Sequence, residues 1–149
     1  MAMSSGTLRV PYKVVNGVGI PTDIHVPHRC APDSNGLAPV LIDLHGGGFM
    51  LGHAAMNNAD QIQHCLGLGW IVLSAEYRLC PGVDLLEGPI TDARDLLRWS
   101  QDGGLAKALT EFGPKDCPKP DQQRIMAMGA SAGGSLALCL VCEKGQRFA

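Results

Sequence analysis

Residues Leu8 to Val15 are rich in β-branched side chains, and Ile20 to Val26 alternates apolar with polar positions. Asn16-Gly17 lies between them, a pair that supplies the positive backbone angles of a tight hairpin turn. The pattern predicts an antiparallel hairpin. From His28 to Pro39 two prolines and an Asn-Gly replace any periodicity, which reads as a loop. Val40 to Leu44 is then a short apolar run of the kind that forms a strand buried on both faces. Asn58 to Leu66 has helical spacing and stops at Gly67, and Trp70 to Ala75 is a second buried strand. Pro81-Gly82 marks a turn. Thr91 to Trp99 places Ala93, Leu96, Leu97 and Trp99 on or near one helical face, although Thr91-x-x-Arg94 is no capping box and leaves the helix start open. Gly103-Gly104 breaks that helix and Gly113 to Pro120 reads as a proline-rich loop. Arg124 to Met128 predicts a third buried strand, followed at once by a glycine-rich turn and an apolar helix, Ser135 to Cys142.

The order is therefore a hairpin followed by strand and helix in alternation. Alternation of this kind argues for an α/β fold of about five strands, mainly parallel after the hairpin and covered by helices on both faces.

Composition narrows the class. The 149 residues suit one domain, and 46% apolar with 17% charged residues excludes a disordered chain. Twelve lysines and arginines against fourteen acids give a net charge of −2, so no basic field exists to hold nucleic acid or an anionic membrane. The longest apolar run, Leu136 to Cys142, falls far short of the ~20 residues a membrane span needs. Met1 to Gly6 lacks the charged start and apolar stretch of a secretion signal. A soluble, cytoplasmic protein is expected, and only seven residues precede the first strand, which leaves no N-terminal lid. Six cysteines outside a secretory context do not suggest a disulfide framework. Cys139-x-x-Cys142 lacks a second ligand pair, so it reads as small apolar residues on a buried helix, and no metal or cofactor is expected.

The candidate chemistry lies in two loops, each directly after a predicted parallel strand, where open α/β sheets bind their ligands. Gly129-Ala130-Ser131-Ala132-Gly133 is a G-x-S-x-G. A serine attacks a carbonyl only if its oxygen is held clear of the sheet, and a sharp strand-to-helix turn flanked by glycines does that. The helix that follows aims its free N–H groups and positive end at the same spot. His45-Gly46-Gly47-Gly48 supplies the complement: consecutive glycines let backbone N–H groups approach the oxyanion that acyl transfer generates. Chance would yield roughly 0.1 and 0.01 matches to these two patterns in a chain of this composition, so their joint presence is informative.

Together these residues resemble the hormone-sensitive-lipase-like branch of the α/β-hydrolase superfamily, as found among microbial and arylacetamide-deacetylase-like esterases. The resemblance rests on His45-Gly46-Gly47-Gly48-Phe49 with Gly52, Glu76-Tyr77-Arg78-Leu79-Cys80-Pro81, Asp92-Ala93, Trp99 and Gly129 to Gly134, in the family's order along nearly the whole chain. It implies a carboxylic ester hydrolase acting on a small-molecule ester. Ser131 would be the nucleophile, and the N–H groups of Gly47, Gly48 and Ala132 the oxyanion hole. His45, Gly46, Gly129 and Gly133 would support the two motifs. His53, Cys80 and Gly82 depart from the family's usual serine, alanine and glutamate.

The same resemblance implies an order of serine, acid, histidine. All five histidines (His25, His28, His45, His53, His64) precede Ser131, and Glu143 is the only acid after it. The chain is thus expected to be the N-terminal part of a single α/β-hydrolase domain, with the acid- and histidine-bearing part absent. His45 is expected to shape the glycine turn and not to act as base. His25 and His28 are expected at the surface, and His53 and His64 beside the first helix. Asp92 and Arg94 read as salt-bridged or solvated, Arg78 as a tie between loops, and Trp99 as core. The competing expectation is a non-catalytic pseudo-hydrolase that binds a partner. Dinucleotide binding fails because no acidic residue follows Gly133-Gly134 by ~20 positions. An exposed apolar sheet edge at Arg124 to Met128 would favour self-association.

Overall fold

The computed structural model describes residues 6–31 and 34–146, with side chains to residue 142. The chain order is β1 (Thr7–Val15), β2 (Val18–His25), β3 (Leu37–Leu44), α1 (Ala59–Gly67), β4 (Ile71–Ala75), α2 (Thr91–Gln101), α3 (Gly104–Phe112), β5 (Lys119–Gly129) and α4 (Ala132–Gln146). The α/β architecture expected from the alternation is present. Met1 to Ser5, read above for a secretion signal, lie outside the described residues.

Asn16 and Gly17, with φ of 49° and 78°, close the β1–β2 hairpin. A bulge at Tyr12 shifts the register between Pro11 and Lys13, which turns Lys13 towards α2. The sheet runs β1-β2-β4-β3-β5, with β2 antiparallel to β4 and β3 parallel to both β4 and β5. One face carries the main core: Ile24, Ile42, Leu44, Ile71 and Leu73 meet Leu96 of α2, Leu105 of α3 and Leu136 of α4, all buried. The other face carries a smaller cluster in which Ile62, Cys65 and Leu66 of α1 pack on Leu41 and Val72. Among the described residues no helix is long and apolar enough to cross a membrane.

Because α1 follows β3 on one face and α4 follows β5 on the other, adjacent strands send their helices to opposite sides. The crevice between the ends of β3 and β5 is the switch point at which α/β sheets bind ligands.

Several expectations change. The α3 helix fills the stretch between the break at Gly103-Gly104 and the loop from Gly113, where no element was predicted; Leu105, Ala108 and Leu109 have the i, i+3, i+4 spacing of a buried helical face. Strand β3 begins at Leu37, and the irregularity between Ala38 and Val40 accommodates Pro39, which has no N–H to pair. Strand β5 is longer than predicted and is the exposed edge expected of Arg124 to Met128, not a buried strand: Met126 is exposed and Ile125, Ala127 and Met128 are half-buried. The cause is its position at the edge of the sheet, with β3 on one side only. Likewise α4 is not a buried helix. Leu136, Ala137 and Leu140 face the core, whereas Leu138 and Val141 are more than 60% exposed and Cys142 is exposed too.

Ion pairs fasten the helix layer. Asp92, fully buried on α2, accepts hydrogen bonds from Lys13 Nζ (2.8 Å) and from the Arg78 guanidinium and backbone N–H (2.9 Å each). Burial pushes its carboxyl upward, but the bonds from Arg78 and Lys13 outweigh that and hold it below the ordinary value. Arg78 also donates to the Glu87 carbonyl (2.7 Å), so it ties the turn after β4 to the π-helical turn Leu86–Ile90 that leads into α2. Trp99 is half-buried against the main core.

Candidate active site

Strand β5 ends at Gly129, and α4 begins at Ala132. The two residues between them turn the chain sharply, and Ser131 takes a left-handed φ of 53°. A side chain in that region costs ~1–2 kcal/mol, so the surrounding structure must enforce it. The Ala130 carbonyl accepts the Gly133 N–H (2.9 Å), and the Ser131 carbonyl accepts the Ser135 N–H (3.2 Å), the first bond of the helix. Ala132 opens the helix, and the residue four back lies in β5, so its N–H has no intrahelical partner. Ser131 itself is exposed.

Gly133 explains how the helix comes so close. A Cβ there would overlap the Leu44 carbonyl at the end of β3, and would lie 2.7 Å from the His45 oxygen. Only a glycine lets α4 rest on that backbone. The result brings the serine turn against the turn that follows β3: a Cβ on Gly46 would sit 2.9 Å from the Ala130 oxygen and 3.5 Å from Ser131 Cβ. The two glycine motifs, 84 residues apart by number, therefore touch.

In the second turn, Gly47, Gly48 and Phe49 all have positive φ (126°, 61° and 63°). The Gly47 carbonyl accepts the N–H groups of Met50 and Leu51 (3.1 Å each), which folds the segment into a compact hook. Beneath it His45 is buried. Its Nδ1 lies 2.7 Å from the Gly46 carbonyl, and its ring stacks on Tyr77 with centroids 4.2 Å apart. A carbonyl only accepts, so Nδ1 carries the proton. Tyr77 donates its hydroxyl to the His45 carbonyl (2.6 Å). Burial, then the Glu76 charge, push the Tyr77 phenol up to about 12, so it remains a donor at neutral pH.

His45 is thus engaged by the glycine turn. Among the described residues no histidine is hydrogen-bonded to Ser131. His28, His53 and His64 are exposed. His25 is not at the surface as expected: it is half-buried, with Nδ1 3.2 Å from Thr7 Oγ1 and Nε2 3.2 Å from Ser74 Oγ, because β2 pairs with β4 and draws it over the sheet. Burial pushes its imidazole pKa down. Glu143 lies on α4, and its side chain is outside the described residues.

Sequence reasoning treated Glu76 and Tyr77 only as part of a motif. Their position directly after β4, beside the strand that ends in the glycine turn, was the available signal.

A family model described as the α/β hydrolase fold matches residues 41–148. The chain belongs to that family. Among solved structures, it is similar to esterase 2 of Thermogutta terrifontis. The butyrate-bound form superposes with a TM-score of 0.70 at 28% identity, covering 90% of this chain and 44% of that one. The form phosphoramylated by tabun gives a TM-score of 0.70 at 27% identity, over 90% of this chain and 46% of that one. Among curated proteins, the chain is 34% identical over 130 residues to the non-reducing polyketide synthase atr1 of Stereocaulon alpinum. That match takes in 87% of this chain and 5% of the synthase. It is 37% identical over 133 residues to the synthase Preu6 of Preussia isomera, over 88% of this chain and 6% of that protein. The chain spans about a twentieth of those synthases and less than half of the esterase.

Proposed function

We propose that this chain carries the nucleophile and oxyanion-hole half of a serine carboxylic ester hydrolase of the hormone-sensitive-lipase-like branch. Ser131 is the nucleophile, and the N–H groups of Gly47, Gly48 and Ala132 receive the oxyanion of the tetrahedral intermediate. The observation that carries this reading is the contact between the two turns, with Ser131 at a left-handed elbow against Gly46. The acid and histidine of the triad are proposed to belong to sequence beyond residue 149, in the remainder of a single hydrolase domain. The 44–46% coverage of the esterase chains supports that division. Without a base, a serine hydroxyl is a weak nucleophile.

The acyl donor has two candidates. The esterase likeness favours an oxygen ester of a small acid. The higher identity to non-reducing polyketide synthases favours an acyl group of polyketide type, for which an acyl thioester serves as the test substrate. The open edge of β5 supports self-association of the isolated chain, which sedimentation velocity reads directly; a monomer at high concentration refutes it.

The test compares residues 1–149 with the polypeptide extended along its reading frame. Substrates are a short-chain aryl ester and a matching acyl thioester, and paraoxon serves as the serine label. Residues 1–149 are expected to turn over slowly, with Ser131→Ala changing little. The extended protein is expected to turn over fast, to be phosphorylated at Ser131, and to lose both properties in Ser131→Ala. Fast turnover by residues 1–149 that Ser131→Ala abolishes would place a base within them. Equal loss in His45→Ala would identify His45 as that base. Labelling elsewhere than Ser131 in the extended protein would refute the nucleophile.

A further inference from the structure

The glycine turn hangs on one carboxylate. Glu76 follows β4 and is pinned by its backbone: its N–H donates to the Pro21 carbonyl (3.0 Å), and its own carbonyl accepts the Tyr12 hydroxyl (2.8 Å). From that fixed point its side chain reaches both ends of the segment that carries the turn. Oε1 accepts the Ala54 N–H at 3.1 Å, and Oε2 stands 4.0 Å from Nε2 of His45, a charge pair when the imidazole carries a proton on both nitrogens. Arg9 holds the carboxylate from the far side (3.0 Å) and is itself paired with Asp23 (2.8 Å).

His45 Nε2 is a buried nitrogen with no hydrogen-bond partner. Its ring is fixed by the stack on Tyr77 and by Gly52, where a Cβ would come within 2.6 Å of Nδ1. The other nitrogen donates to the Gly46 carbonyl. That carbonyl belongs to the same peptide plane as the Gly47 N–H. Whatever fixes the direction of the Gly46 oxygen therefore fixes the direction of the Gly47 N–H, on the opposite side of the same rigid unit. The ring nitrogen facing Glu76 and the peptide of the turn are two ends of one lever.

We propose that Glu76 is a positioning residue for the Gly47 N–H, acting through His45 at one end of the turn and Ala54 at the other. It touches no reacting atom. The inference rests on the oxyanion-hole reading for its consequence in catalysis, but the link from Glu76 to the Gly47 amide is a property of the fold that can be read without turnover.

The test uses 15N-labelled residues 1–149 and Glu76→Gln, which keeps the volume and an acceptor oxygen but removes the charge. The imidazole 15N resonances of His45 and the Gly47 amide are expected to move together, and amide exchange at Gly47 to quicken about tenfold. The Gly17 amide, in the distant hairpin turn, stays put. Glu76→Asp restores part of the shift. Arg9→Gln, which frees one oxygen of Glu76 without touching the turn, moves the same resonances less, and stands in if Glu76→Gln does not fold. In the extended protein, Glu76→Gln is expected to lower kcat about tenfold with KM little changed, less than the ~10²–10³ of losing a donor outright. Unmoved His45 and Gly47 signals in the folded variants would overturn the proposal. If Ser131→Ala in the extended protein leaves hydrolysis intact, the hydrolase reading fails at its nucleophile, and the resonances still decide the role of Glu76.

Discussion

Asp43 is the buried charge most open to test, because among the described residues no cation is paired with it and burial alone shifts it. It lies on the α1 face of β3, 5% exposed, in register with Ser74 on β4 and Met128 on β5. Cys65 of α1 faces the same region, and its thiol is pushed up first by burial and then by the Asp43 charge. Burial alone pushes the Asp43 carboxyl from 3.8 up to about 6. Because the folded value exceeds the unfolded one, the carboxylate penalises folding at neutral pH. The penalty is absent below about pH 4, grows between about pH 4 and 6, and is constant above. A displacement from 3.8 to about 6, at ~1.36 kcal/mol per pH unit, amounts to about 3 kcal/mol.

Asp43→Asn keeps the shape and removes the titration. At pH 7.5 the variant is expected to be more stable than the parent by up to about 3 kcal/mol, roughly 6–12 °C in Tm for a domain of this size. At pH 4 the two should nearly coincide. Urea denaturation of both proteins at steps between pH 4 and 7.5 measures this, and the difference curve cancels the other titrating groups. His25 is one of these: its lowered pKa removes stability as pH falls through the imidazole range, opposite in sense to Asp43. A difference that is flat across pH, or a less stable variant at pH 7.5, would refute the argument.

Two further outcomes follow from the packing. Gly133→Ala should prevent the native docking of α4, because its Cβ meets the β3 backbone at Leu44, which cannot yield. Gly48→Ala, where a Cβ meets nothing within 4 Å, should cost only the ~1–2 kcal/mol of a left-handed alanine. Circular dichroism melts of the two variants separate these cases, and equal losses would contradict the contact geometry. Asp92→Ala leaves Lys13 and Arg78 facing a buried void and should cost ~3–5 kcal/mol at neutral pH. The parent's Asp92 contribution is present above the ordinary carboxylate range and drains away as pH falls below it, so the Asp92→Ala deficit in urea melts should shrink towards pH 2–3. A deficit independent of pH would argue against the pairing.

The fold was legible where one residue type does one job. Asn16-Gly17 announced the hairpin, and the runs Val40 to Leu44 and Trp70 to Ala75 announced strands buried on both faces, because such strands need no alternation. Helix α3 was overlooked because Leu105 to Phe112, between the break at Gly103-Gly104 and the loop from Gly113, were given no element. Gly103, at φ 95°, ends α2 as expected and also opens α3. The exposed edge at β5 was foreseen from where its strand stands in the order, but the burial of α4 was misread: Leu136 to Cys142 is as apolar as a core segment, and the outer face of a helix is defined by what lies beside it, which no local pattern records. The site divides in the same way. Ser131, Gly47 and Gly48 were found because the requirements on each are local. Glu76 was not singled out, because its role comes from strand order: only with β4 next to β3 does the residue after β4 stand beside His45.

The end of β3 carries an unusual concentration of these demands. The Leu44 oxygen marks the closest approach of α4, His45 turns inward to hold the next peptide, and Gly46 lies against the serine elbow. A strand at the switch point has neighbours whose chains leave to opposite faces, so its own exit is the one place where both glycine turns can meet. That meeting needs Gly133 for the approach of the helix and Gly46 for the approach of the loop, and neither of these has to take part in bond making. Gly46 and Gly133 are thus packing devices. The chemistry is left to Ser131 and to backbone N–H groups whose direction is set by side chains buried behind them.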